Sequence, residues 1–187
     1  MESLLAFLNS IYPLSPNLRE HLSNVLKKRD FARGEYLLQA GRVSSHIYFI
    51  EKGLIRCFYR KGDKEICSWF MKEYDVIISV QSFFKQKPGY ENIQAMEDCV
   101  VHYISYTELQ QIYCNYIEFN IIGRKLVENY YALSEERLHS MRMLKGSERY
   151  QYVMEFHPDL IRRVPSKFIA TYLGLTEVTL SRVKAKR

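Results

Sequence analysis

The sequence lacks any long apolar run. No stretch approaches the roughly 18 residues needed to span a bilayer, and the opening Met1-Glu2-Ser3-Leu4-Leu5 lacks the basic segment of a secretory leader. A cytoplasmic protein with no membrane partner is expected. Paired cysteines are missing too: Cys57, Cys67, Cys99 and Cys114 are scattered without a C-x-x-C, which points away from a disulfide framework and from a zinc ribbon. The histidines, His21, His46, His102, His139 and His157, are too far apart for metal-ligand spacing. Neither a nucleophile-elbow G-x-S-x-G nor a P-loop occurs. No catalytic residue, metal or cofactor is therefore assigned, and the chain is not read as an enzyme.

What is present is a chain of 187 residues, 47% hydrophobic and 26% charged, enough for one large or two small globular domains. Its net charge of +6 is unevenly placed. From Lys145 to Arg187 nine basic residues face four acidic ones, a balance of +5, while the rest of the chain carries 18 against 17. Such asymmetry suggests that the C-terminal quarter meets a polyanion, nucleic acid first and an anionic membrane surface second, over the alternative of a solvated basic face.

Three patterns follow one another along the chain. Leu4, Leu5 and Leu8, then Leu18, Leu22, Val25 and Leu26, fit two short helices broken at Pro13 and Pro16. From Gly34 to Tyr106 come short runs of β-branched and aromatic residues, such as Ile47-Tyr48-Phe49-Ile50 and Val100-Val101-His102-Tyr103-Ile104. Turn signals at Ala40-Gly41, Lys52-Gly53, Gly62-Asp63 and Pro88-Gly89 separate them, as in an antiparallel sandwich or barrel. Helical period then returns with Ile122, Leu126, Tyr130, Leu133, Arg137, Met141 and Leu144. No Gly or Pro interrupts Arg124 to Lys145, so one long helix is expected. An apolar stripe of that length either packs on its own β domain or forms a seam with a second copy. The preferred reading is the seam, built on Ile122, Leu126, Tyr130, Leu133 and Met141. A further helix begins at Ser147, with Tyr150, Val153, Met154 and Phe156 on its apolar face.

The most specific signal is Ser166 to Val183, which reads as helix, turn, helix. Ala170 is small where two steeply crossing helices approach, and Gly174 can take the positive φ that ends the first. Ile169, Leu173, Leu175, Leu180 and Val183 supply a small core, and Thr176 caps the second helix with Glu177 in its first turn. In a DNA-binding helix-turn-helix the second helix enters the major groove. Periodicity leaves Glu177, Val178, Ser181 and Arg182 outward to read base edges. Ser166, Lys167 and Thr179, with Lys184, Lys186 and Arg187, are placed for phosphates. A helical hairpin of purely structural use is the competing reading.

Gly34-Glu35-Tyr36-Leu37-Leu38-Gln39-Ala40-Gly41, Ile47-Tyr48-Phe49-Ile50-Glu51-Lys52-Gly53 and Gly62-Asp63, with the C-terminal Ile169-Ala170-Thr171-Tyr172-Leu173-Gly174-Leu175 and Leu180-Ser181-Arg182, resemble the Crp/Fnr family of bacterial transcription regulators. The resemblance implies an α+β chain: an antiparallel β-roll (double-stranded β-helix) of the cyclic-nucleotide-binding type over 1–115, a dimerisation helix over 116–145 and a helix-turn-helix domain over 146–187. It also implies a homodimer on a palindromic operator in double-stranded DNA, with RNA polymerase and a small-molecule effector as further partners.

The chain departs from the family in its phosphate cassette, where a Gly-Glu pair and a later Arg followed by Ser or Thr hold the cyclic phosphate. Asp75 to Ala95 contains neither Gly-Glu nor any arginine. Lys85 and Lys87 lack the guanidinium fork that grips two phosphate oxygens at once. Cyclic AMP is therefore not the expected switch, and Ser79, Gln81, Ser82, Tyr90 and Asn92 remain as candidate pocket residues for another effector. The chain also ends four residues after Val183, so the hairpin wing of many relatives is not expected, and its first cysteine, Cys57, is not part of the N-terminal cluster used by iron-sulfur sensors of the family. The alternative function is a small-ligand sensor or protein-interaction module of the same fold that does not read DNA.

Overall fold

The computed structural model describes residues 1–185, so Lys186 and Arg187, expected at phosphates, lie outside the described residues. Two helices lead, α1 (Glu2–Ile11) and α2 (Pro16–Val25). Pro16 begins α2 where an amide proton would have no intrahelical partner, and the Ser15 side chain accepts from Leu18 N–H. Eight strands follow: β1 (Lys27–Phe31), β2 (Tyr36–Leu38), β3 (His46–Lys52), β4 (Ile55–Lys61), β5 (Lys64–Met71), β6 (Val76–Ile77), β7 (Asn92–Ala95) and β8 (Cys99–Ser105). A short helix, α3 (Val80–Lys85), lies between β6 and β7. The strands form two four-stranded sheets, β1-β8-β3-β6 and β2-β7-β4-β5. No described helix is long and apolar enough to cross a membrane.

Contacts divide the chain into two units that are not contiguous in sequence. The first holds Met1–Arg56 and Met71–Asn129. In its β1-β8-β3-β6 sheet, β3 runs antiparallel to β8 with Ile47 opposite Ile104 and Phe49 opposite His102. Alternation along the strands sends Phe49 and Ile104 to one face, where they join Leu5, Leu18 and Leu22 of the leading helices. Two later helices complete that core: α4 (Tyr106–Asn115), through Leu109 and Ile112, and the first turns of α5 (Ile117–Met143), through Phe119 and Ile122. Phe31, Ile50 and Val101 are buried outside that cluster. Gly53, at φ 106°, passes so near β8 that a Cβ there would stand 2.5 Å from Cys99 Sγ.

The second unit holds Cys57–Phe70 and the chain from Tyr130 onward. It contains most of the β4–β5 hairpin, the end of α5, and α6 (Gly146–Phe156), α7 (Pro158–Arg163), α8 (Ser166–Tyr172) and α9 (Glu177–Ala185). Tyr150 and Val153 of α6 are buried, whereas Phe156, expected on the same face, is 57% exposed. This grouping differs from the sequential partition 1–115, 116–145 and 146–187. The hairpin joins the C-terminal helices because Cys67 N–H donates to Thr171 Oγ1 at 3.2 Å and the Phe70 ring lies 5.1 Å from that of Tyr172.

Helix α5 is unbroken from Ile117 to Met143, two residues short of the expected end at Lys145, and two apolar stripes interleave along it. Ile122 is fully buried in the core of its own chain and Leu126 packs against it. The reading that put Ile122 in a seam between two chains is corrected on this point, since a side chain already removed from water has no surface left for a partner. Val127, Tyr131, Leu133, Leu138 and Met141 remain exposed. With Ile117, 80% exposed, Val127, Tyr131, Leu138 and Met141 fall in the a and d register of one heptad seam, in which polar Asn120, Arg124 and Ser134 take the positions between. Only Met141 is common to this stripe and the expected one.

Candidate nucleic-acid interface

Helix α8 ends as its sequence dictates. Leu173 N–H still bonds Ile169 C=O at 2.9 Å, Gly174 turns at φ 66°, and Leu175 N–H reaches back to Ala170 C=O at 2.8 Å. Left-handed glycine after the last turn satisfies carbonyls that would otherwise be orphaned. A Cβ on Gly174 would also stand 2.7 Å from Met141 Cε, so space and conformation both favour glycine. Thr176 Oγ1 then accepts from Thr179 N–H at 3.1 Å and caps α9. Ile169, Ala170, Leu173 and Leu180 are buried between the two helices, and Leu175 and Val183 are half-buried. The expected core of the motif is thus assembled, and larger residues at Ala170, which is fully buried, would overpack it.

This packing presents one polar face of α9 to solvent. Glu177, Val178, Thr179, Ser181 and Arg182 are all exposed, Val178 to 61%. Thr176 is exposed beside them, its hydroxyl 2.9 Å from that of Thr179. Thr179 and Arg182 also flank a groove of about 410 Å³ between α6 and α9, lined by Tyr150, Leu175 and Val183. Lys167 is exposed, its ammonium 4.7 Å from the Phe168 ring centre. Lys184 is half-buried and donates to Ser166 Oγ at 2.8 Å, a pairing the sequence did not reveal. It ties the end of α9 to the start of α8.

Two arginines missed as structural elements hold the motif in place. Arg137 of α5 donates to Tyr172 C=O at 2.7 Å, and Arg149 of α6 donates to Leu173 C=O at 2.8 Å and to Leu144 C=O at 2.5 Å. Both cover carbonyls at the end of α8 that no helical amide reaches. Burial lowers the Arg137 pKa and raises that of the Tyr172 phenol, each group partly opposing the other's shift. Arg149 and Lys184 are therefore internal ties, and part of the +5 charge of the C-terminal quarter serves the fold. Lys145, Arg162, Lys167 and Arg182 are its exposed cations among the described residues.

The cassette stretch in the first unit is laced to its own chain. Ser82 Oγ accepts from Ser44 N–H at 2.9 Å and donates to Lys87 C=O at 2.6 Å. Asn92 Oδ1 accepts from Ala40 N–H at 3.0 Å, and Gly41 N–H bonds Gly89 C=O at 2.7 Å. A Cβ on Gly89 would stand 2.9 Å from Ser82 Cβ. Ser79, Ser82 and Asn92 are buried, while Gln81 and Tyr90 are exposed, so the five candidate pocket residues do not converge on one cavity wall. That expectation is corrected for Ser82 Oγ and Asn92 Oδ1, which are taken up by backbone groups, while Asn92 Nδ2 is buried without a partner among the described residues. Lys85 and Lys87 are exposed.

Residues 28–116 match the family model described as a cyclic nucleotide-binding domain. No curated protein matches the chain in sequence. Among solved structures, a CooA variant from Carboxydothermus hydrogenoformans is similar at TM-score 0.74 and 17% identity, over 96% of this chain and 83% of that one. FixK2 from Bradyrhizobium japonicum is similar at 0.71 and 18%, over 87% and 84%. The c-di-GMP responsive global regulator CLP of Xanthomonas campestris is similar at 0.70 and 15%, over 92% and 91%. The chain thus resembles cyclic nucleotide-binding domains over residues 28–116 and has the α+β fold of these regulators, with a β-rich N-terminal part, a long helix and small C-terminal helices.

Proposed function

We propose that this chain, built on the Crp/Fnr fold, is a regulator that reads duplex DNA through α9, binds as a homodimer and is not switched by cyclic AMP. The observation that carries the reading is the exposed row Glu177, Val178, Ser181 and Arg182 on a helix held by the Gly174 turn and the Thr176 cap. Arg182 has the fork to bond guanine O6 and N7, Glu177 accepts from a cytosine amine, and Val178 meets a thymine methyl. Lys167 and the exposed Arg162 supply phosphate contacts beside it. The free stripe on α5 supports a parallel two-fold dimer, which places two recognition helices on half-sites about 34 Å apart.

The cassette supports the negative part of the reading. A cyclic phosphate leaves water only if donors replace its hydration. Where the family has its arginine this chain has Gly89-Tyr90, with Gly89 tied to Gly41 and Tyr90 62% exposed.

Selection from random duplexes tests the function. An enriched imperfect palindrome, bound with an affinity that falls steeply as salt rises, is expected. Arg182→Ala should cost about 1–3 kcal/mol on that site and little on unrelated DNA. Enrichment of no sequence would leave the interaction-module reading in its place. Micromolar binding of cyclic AMP that altered DNA affinity would refute the cassette argument.

A further inference from the structure

One end of the β-roll opens into a groove of about 850 Å³ that DNA reading does not use. It lies between β2, the loop 39–45 and a face of the sheet carried by β1, β3 and β8, and none of Ser79, Gln81, Ser82, Tyr90 and Asn92 lines it. Its size falls within the range of about 300–1,000 Å³ typical of small-ligand sites.

The register of the first sheet builds one wall. Tyr48 on β3 stands opposite Tyr103 on β8, with ring centres 5.8 Å apart. The His46 ring lies 5.3 Å from Tyr103 and 6.1 Å from Tyr48, which extends the wall to three flat rings. Neither phenol hydroxyl makes a hydrogen bond to a described residue, and His46 uses only Nδ1, 2.9 Å from Ser45 Oγ. Burial, with Lys27 and Arg29 nearby, lowers the His46 pKa, and burial raises that of Tyr48. At neutral pH His46 and Tyr48 therefore offer the wall uncharged rings with uncharged polar edges.

The rest of the lining is cationic on balance. Arg42 is exposed, and its guanidinium has no ion pair or hydrogen bond among the described residues. Its backbone is nevertheless fixed, the N–H on Gln39 C=O and the C=O on Gly89 N–H, both at 3.2 Å. Arg29 is held 2.8 Å from Glu35 and lies 4.2 Å from the Phe31 ring centre. Glu35 is the single acid of the lining, and both its oxygens are engaged, one by Arg29 and the other by Ala32 N–H at 3.1 Å.

We propose that this groove binds a small flat aromatic anion, with its ring against Tyr48, Tyr103 and His46 and its negative group on Arg42. Rings associate face-offset or edge-on with such a wall, and an unpaired guanidinium grips carboxylate or phosphate oxygens in pairs. Aromatic carboxylates and nucleoside monophosphates share this chemistry. The site is separate from α9 and from the cassette, so it stands or falls independently of the DNA reading.

Calorimetric titration of the full chain at neutral pH with indole-3-carboxylate and with 5′-AMP tests it, and the tighter probe distinguishes carboxylate from phosphate. Saturable binding of at least one, at one per chain with Kd below about 1 mM, is expected. Arg42→Ala and Tyr103→Leu should each weaken it about tenfold or more, whereas Lys85→Ala should not. Cyclohexanecarboxylate, which is not flat, should bind about tenfold more weakly than the aromatic acid. Saturation by neither probe, or binding indifferent to Arg42→Ala, would overturn the proposal. Arg42 is exposed, so its replacement decides the matter even if Tyr103→Leu does not fold.

Discussion

The guanidinium of Arg137 lies 3.8 Å from the centre of the Tyr172 ring while its Nη2 donates to the carbonyl oxygen of that same residue at 2.7 Å. One side chain thus closes the last turn of the first motif helix and covers its final aromatic ring. Trp69 of the β4–β5 hairpin flanks the same guanidinium, its ring centre 5.8 Å away. The hairpin, the end of α5 and α8 therefore share one half-buried cation in the second unit.

Removing that cation should loosen this unit. Arg137→Ala leaves the Tyr172 carbonyl without its donor and is expected to cost about 1–3 kcal/mol. Arg137→Lys should recover only part, because an ammonium lacks the planar fork that stacks and donates together. Urea unfolding followed by the fluorescence of Trp69, the single tryptophan, measures both. An unchanged midpoint for Arg137→Ala would show the contact to be energetically idle.

The two stripes of α5 separate in mutation. Tyr131→Asp with Leu138→Asp puts carboxylates on the free face and should yield a folded monomer. Ile122→Asp, by contrast, places a charge in the first unit's own core and should unfold it, since a buried unpaired carboxylate is strongly disfavoured. Light scattering with circular dichroism distinguishes these outcomes. A dimer that survived the double replacement would move the seam elsewhere.

Acid stability should depend on Glu108. Its carboxylate accepts from Ser105 N–H at 2.7 Å in the capping box of α4 and pairs with Lys27 at 3.0 Å. The Ser105 backbone bond is the chief cause that lowers its pKa to about 2 from the ordinary 4.5. A depressed carboxylate contributes stability that is present above 4.5 and is lost as the pH falls from there toward 2. Glu108→Gln should therefore be less stable than the native chain at pH 6, with a difference that shrinks through this window. Denaturation midpoints across pH 6 to 2.5 that ran parallel for the two proteins would contradict this.

Thiol chemistry should report the burial pattern directly. Cys57, Cys67 and Cys99 are buried and Cys114 on α4 is exposed. Burial also pushes the Cys99 thiol up to about 11, which keeps it protonated and unreactive. A thiol reagent at pH 8 should label one cysteine promptly in the native protein and all four in denaturant. Labelling should vanish in Cys114→Ser, and prompt labelling of a second site would mean that a buried strand opens readily.

Local pattern in the sequence determined a good deal of this. Ala170, Gly174 and Thr176 act within their own turn, through size, positive φ and a side-chain cap, so their roles follow from residue type and spacing. The same holds for the Gly and Pro punctuation of the strands and for the unbroken run that became α5. Other features depended on residues far apart in the chain. Nothing in the spacing pairs Arg137 with Tyr172, or Lys184 with Ser166, because each contact needs two helices already crossed. Periodicity showed that α5 was apolar, but it could not assign two interleaved stripes to two neighbours, and it chose Ile122 for a seam that the core had already claimed. Net charge counted Arg149 and Lys184 as available cations until tertiary packing turned them inward. The wall of Tyr48, Tyr103 and His46 exists only because β3 and β8 adopt one register, and register is set by the buried faces of the whole sheet, which no single strand carries.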